Sequence, residues 1–96
     1  MNTNVSIDIT GGRCALNGVL DFNTTRLALE NVRPVIEQQA KVEIDFSSVS
    51  SANSAGLALL IECQALAHLH QHQVQFSHIP EGLLQLAAVC EVKGLI

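Results

Sequence analysis

IDFSSVSSANSAGLALLI, residues 44–61, is the stretch on which the fold turns. Its first residues end the run Val42-Glu43-Ile44-Asp45-Phe46, in which apolar and acidic side chains alternate with period two, as in a strand with one buried face. Ser47–Asn53 holds four serines and reads as a polar loop. A helix is predicted from Ser54 to His72, with Asn53 or Ser54 offering the side-chain oxygen that replaces a missing backbone partner at its start. Strand, loop and helix in this order form part of a crossover unit, so the strands on either side should pair in parallel.

Upstream, Val5, Ile7 and Ile9 alternate with Ser6 and Asp8, Gly11-Gly12 marks a turn, and Arg13–Leu20 returns with Cys14, Leu16 and Val19 facing inward. That is a β-hairpin. Asp21 and Asn23 supply capping oxygens for a helix reaching Ala40, with Leu27, Val32, Val35 and Ile36 as its buried stripe. Pro34 inside it removes a backbone donor and is expected to kink or split the helix. Downstream, Val74–His78 is a short fourth strand. Pro80 fits the first turn of a third helix over Glu81–Cys90, whose apolar positions are Leu83, Leu84, Leu86, Ala87 and Val89. The order β-β-α-β-α-β-α predicts an α/β domain. It has one mixed sheet of about four strands, an N-terminal hairpin, Val42–Phe46 at the centre and helices packed against the sheet. Residues 1–96 form one such domain.

Composition narrows the function. Hydrophobic residues make up 48% and charged residues 15% of the 96, enough for one aliphatic core. The net charge is −4, and Arg13, Arg26, Arg33, Lys41 and Lys93 are scattered, so neither a nucleic-acid backbone nor an anionic lipid surface finds clustered positive charge. With no Trp or Tyr, there is no platform for base stacking. Cys14, Cys63 and Cys90 form no CxxC pair and read as three small buried hydrophobes in a reducing compartment. Met1–Thr10 lacks the pattern of a signal peptide, and the longest apolar run, Leu57–Ile61, is too short to cross a bilayer. These features predict a cytoplasmic protein with no membrane insertion.

The chemistry on offer is sparse. Backbone N–H groups at the start of the second helix are unpaired and the dipole there is positive, so an anion, including a phosphate on Ser54, is stabilised at that point. The plainer alternative is a helix cap. His68 and His72 stand at i, i+4 with His78 further on, a spacing zinc can use, but no HExxH pattern accompanies them and a solvated helix end explains them. No glycine-rich nucleotide loop and no Ser/His/Asp or Cys/His set is present, and Asp45 at a strand end reads as structural. The sequence thus predicts no catalytic residue, metal or cofactor. At 100° per residue, Leu59, Cys63, Leu66, Ala67 and Leu69 share the core face of the second helix. Gln64, His68, Gln71 and His72 take the solvated face, and Leu57 and Ile61 fall on that polar side. Exposed aliphatic residues beside a helix-start serine predict an interface patch, unless loop residues cover them.

Asp45 ending a strand, then Asn53-Ser54-Ala55-Gly56-Leu57 opening a helix, resembles the signature of the STAS domains: a strand ending in Asp, a short loop, then Asp-Ser/Thr-small-Gly-Leu. The element order extends the resemblance over nearly the whole chain. Within that family FSSVSSANSAGLALL is most similar to the small STAS subunits of Mla-type phospholipid ABC transporters, inner-membrane complexes that maintain outer-membrane lipid asymmetry. The resemblance implies a non-enzymatic subunit, peripheral to the inner membrane, that binds the ABC transporter ATPase subunit and supports its assembly and activity. Its contact would comprise Asn53, Ser54, Ala55, Gly56, Leu57 and Ile61, with Ser47–Asn53 as the rim and the small Ala55 and Gly56 admitting a partner helix. The alternative implied by the same family is an anti-sigma-factor antagonist with Ser54 as its phosphosite. The phosphorylated antagonists usually carry Asp immediately before that serine, where this chain has Asn53.

Overall fold

The computed structural model describes residues 5–90. The elements are β1 (Val5–Thr10), β2 (Arg13–Leu20), α1 (Thr24–Gln38), β3 (Lys41–Ala52), α2 (Ser54–Leu69), β4 (Gln73–Ser77) and α3 (Glu81–Val89). They form one four-stranded sheet in the order β1-β2-β3-β4, so the predicted mixed sheet is found. β1 and β2 pair antiparallel as the hairpin, while β2–β3 and β3–β4 pair parallel. Both crossovers step the same way across the sheet. Right-handed crossovers therefore put α1 and α2 on one face, where they touch each other.

That face holds the core. Cys14, Leu16 and Leu20 of β2, Val42, Ile44 and Phe46 of β3 and Val74 of β4 meet Ala28, Val32 and Ile36 of α1 and Leu59, Leu60, Cys63 and Ala67 of α2. Ile44 is almost fully buried, as a central strand requires. Leu20, rather than Val19, points inward at the end of β2. Period two holds along β2 through Cys14, Leu16 and Leu20, which puts Val19 on the opposite side, and the register shifts between Ala15 and Asn17 and between Gly18 and Val19 place their extra residues in β3. Gly18, on the strand opposite these extra residues, has φ 108°, a conformation that favours glycine. Cys14 and Cys63 are buried as expected, and burial first, with Cys14 and Glu62 adding to it, pushes the Cys63 thiol up to about 12. Cys90 is exposed, against expectation, because it follows the last turn of α3.

Three further sequence expectations change. The segment Ser47–Asn53 is no loop: β3 continues to Ala52, pairing Ser48, Val49, Ser51 and Ala52 with Asn17, Gly18, Val19 and Leu20. Polar side chains there do not prevent the backbone pairing, which is interrupted only at the two register shifts. Pro80 precedes α3 as its N-cap rather than sitting in its first turn. Pro34 does not split α1, which runs unbroken from Thr24 to Gln38. Pro34 and Glu30, the residue whose carbonyl loses its partner, are both exposed, so water can satisfy that carbonyl. Pro34→Ala should therefore stabilise the domain by about 1–2 kcal/mol, part of the ~3 kcal/mol by which proline trails alanine in a helix interior. A urea midpoint no higher than that of the parent would contradict this.

Candidate functional site

β3 hands over to α2 at Asn53. The Asn53 N–H donates to the Leu20 carbonyl at 3.1 Å, and its Oδ1 accepts the Ala55 N–H at 2.8 Å. Asn53, not Ser54, is therefore the cap of α2. That leaves Ser54 exposed, with its hydroxyl in no side-chain hydrogen bond among the described residues, at the positive end of a 16-residue helix. Ala55, Gly56 and Leu57 turn inward instead, and Leu57 is only 6% exposed. The expectation of an accessible Leu57 is thus corrected, whereas Ile61 is half-buried and partly accessible. Gly56 does admit a close neighbour, but an internal one: a Cβ there would lie 3.3 Å from Leu83 of α3 and 3.3 Å from Ala52. With α1 on one flank and α3 on the other, α2 is buried over a wider arc than a helix on a single core face. Leu69, assigned to the core from the sequence, ends the helix at 75% exposure.

A groove of about 300 Å³ opens beside Ser54, between α1 and α2. Phe22, Arg26 and Leu29 form one wall, and Ser54, Ala58 and Glu62 the other. Phe22 is 74% exposed, an unusual position for a large apolar side chain. Its turn is fixed from below. Asp21 Oδ1 accepts the Asn23 and Thr24 N–H groups at 2.8 and 2.9 Å, and Thr24 Oγ1 donates to the Val19 carbonyl at 2.7 Å. The bonds to Asp21 lower its pKa, those from the Thr24 and Asn23 N–H groups most. Sequence reasoning used Asp21 and Asn23 as caps and passed over the phenylalanine between them. The available signal was an aromatic residue held inside a polar capping turn.

The other face of the sheet is polar and, among the described residues, has no helix packed on it. Its centre is Asp45, buried at 5% exposure. Asp45 accepts from Arg13 Nη2 at 2.5 Å, the Ser47 N–H at 2.9 Å, Ser47 Oγ at 3.0 Å and His78 Nδ1 at 2.9 Å. His78 reaches it from a left-handed backbone conformation, φ 56°, at the bend after β4. The Ser47 N–H above all, then His78, the Ser47 hydroxyl and Arg13, outweigh burial and hold the Asp45 carboxyl at about 2. So weak a base is unsuited to proton abstraction near neutrality. Its folded-state value lies below the ordinary 3.8, so its stabilisation is complete above that value and is lost as pH falls through about 2. Urea unfolding at pH 5.5 and 2.5 should show an acid loss on the order of 2 kcal/mol larger in the wild type than in Asp45→Asn. Equal losses would mean that Asp45 is not the group responsible.

His68, His70 and His72 lie near one another at the end of α2, the rings of His70 and His72 stacked at 6.0 Å, while His78 is apart from them. His68 is exposed on α2, and His72 lies beyond the helix end with Nδ1 2.7 Å from the Ile36 carbonyl, to which it donates. His78 is engaged with Asp45. Among the described residues no group of three or more His, Cys, Asp and Glu is placed to hold a metal ion. Nor is any helix among them long and apolar enough to cross a membrane.

A four-stranded mixed sheet with α1 and α2 packed on one face, and a capped helix presenting a serine at its start, define the class as a small α/β domain. The chain belongs to the STAS family: the family model described as "Mlab, STAS domain" matches residues 4–96. Among solved structures it is similar to the anti-sigma factor antagonist SpoIIAA in its unphosphorylated form, at 13% identity and a TM-score of 0.66 over 95% of this chain and 84% of that one. It is also similar to the Bacillus cell fate determinant SpoIIAA in the phosphorylated form, at 11% identity and a TM-score of 0.70 over 95% and 86%. At these identities the likeness is one of fold. No curated protein matches the chain.

Proposed function

We propose that this STAS domain is a docking subunit that binds the ATPase subunit of an Mla-type phospholipid ABC transporter and favours its assembled, active arrangement. The observation that carries the reading is the apolar groove opening beside the exposed Ser54, in a domain whose other polar cluster holds its carboxylate too acidic for base catalysis. The description of the matching family model points the same way, as does the resemblance of residues 46–60. On this reading the protein lies on the cytoplasmic side of the inner membrane, held there by the transporter, and contributes to lipid asymmetry without chemistry of its own. Affinity purification from native membranes under mild detergent should bring down the ABC ATPase in near-stoichiometric amount. Recovery of a serine kinase instead, with no ATPase, would overturn it.

A second reading has a specific observation in its favour. The Ser54 side chain is free and exposed at a helix N-terminus, where a phosphate would be accepted without disturbing the core. An anti-sigma-factor antagonist switched at Ser54 would use that same exposure. Intact-mass analysis of protein from its own host separates the two: phosphate on Ser54 favours the antagonist.

A further inference from the structure

The walls of the groove differ in one respect that bears on its occupant. Arg26 is loosely paired with Glu30 across one helical turn, 3.7 Å apart. Glu62, on the opposite wall, has no cationic partner among the described residues. Glu62 is therefore an acid without a cation beside an apolar channel, and a basic group on the partner complements it. The N–H groups of Thr24, Thr25, Ala55 and Gly56, at the helix starts that wall the groove, are already taken by Asp21 and Asn53. An extended peptide laid between them would lose its hydrogen bonds to water and find none in return, whereas a helix brings its own. From Ser54 to Glu62 the channel runs about 12 Å, the length of two helical turns.

Resting on the docking reading above, we infer that the α1–α2 groove takes a helix of the partner. That helix places an apolar side chain against Phe22, Leu29 and Ala58, and a Lys or Arg opposite Glu62. Phe22 is the anchor of the contact because it is the large apolar group that binding removes from water.

A photo-crosslinking phenylalanine at the exposed Ala58 of the full chain, expressed in its own host, tests this, with the same group at Gln75 on the polar sheet face as control. The crosslinked peptide should lie in a helix of the partner, with a basic residue within one turn of the linked site. Exchanging that residue for Glu should weaken the complex at least tenfold, and Glu62→Lys should restore most of the loss. Phe22→Ala should weaken it roughly 30-fold while leaving the urea midpoint near that of the parent. A link to a strand or loop, to a second copy of this chain or to a segment without a basic residue overturns the inference. So does no link from Ala58, or a Phe22→Ala affinity within threefold of wild type. The identity of the linked protein is judged separately. A kinase linked through such a helix would remove the transporter reading and leave this one standing. An ATPase that co-purifies but never links at Ala58 would do the reverse.

Discussion

Leu57→Asp is expected to unfold the domain at neutral pH. Leu57 is 6% exposed on the first turn of α2 and belongs to the core cluster. Removing such a side chain costs on the order of 2–5 kcal/mol in a core that cannot collapse around the gap. An ionised carboxylate left there without a partner adds a desolvation penalty of similar size, roughly 2–5 kcal/mol. The sum, roughly 4–10 kcal/mol, is comparable to the whole stability of a small domain, which starts at about 5 kcal/mol. Circular dichroism and urea titration would check it, with two controls. Leu57→Ala should stay folded with a loss of about 3 kcal/mol. Leu69→Asp, on a side chain already 75% in water, should shift stability by no more than about 0.5 kcal/mol. A folded Leu57→Asp that had lost only partner binding would mean that Leu57 faces outward after all.

At Ser54 the largest effect is expected on binding. Its hydroxyl neither caps α2 nor bonds to another side chain among the described residues, so Ser54→Ala should fold normally and weaken the complex by about 1 kcal/mol at most. Ser54→Glu adds bulk and a charge at the mouth of an apolar groove, and both must be accommodated when the partner closes over it. The helix dipole returns about 1 kcal/mol to the free protein, so the variant should be soluble and folded yet bind at least ~100-fold more weakly, a difference of about 2.7 kcal/mol. Titration calorimetry with the purified ATPase subunit measures both variants. A phosphorylated wild type, with a Ser54→Ala protein locked in its binding state, would reverse the conclusion and favour the antagonist.

Much of this architecture was legible in the sequence, for identifiable reasons. Val42, Ile44 and Phe46 alternate cleanly because β3 has one face on the helices and the polar Glu43 and Asp45 on the other there, and the chain order of strands and helices followed from such periods. The same logic failed at Ser47–Ala52, where the side chains have no apolar face to report and the strand is specified by its partner β2. It failed again on α2. A helical wheel assumes one buried side, and this helix has α1 and α3 as neighbours, which put Leu57 inside and turned Gly56 from a docking feature into a packing contact with Leu83. The serine position was legible because a cap, a small residue and glycine in succession mark a helix start. The groove was not: its walls come from residues 22–29 and 54–62, which only the packing of α1 on α2 brings together.

The sheet order β1-β2-β3-β4 repeats the order of the chain. Each strand is laid against the one made just before it, and none has to be threaded between two already in place. A ribosome releasing this protein from its N-terminus thus exposes a hairpin that can close locally. Each later strand then arrives with its crossover helix to extend the existing edge. The growing edge is open only until the next strand emerges, which shortens the interval in which an unpaired strand could recruit a neighbouring nascent chain.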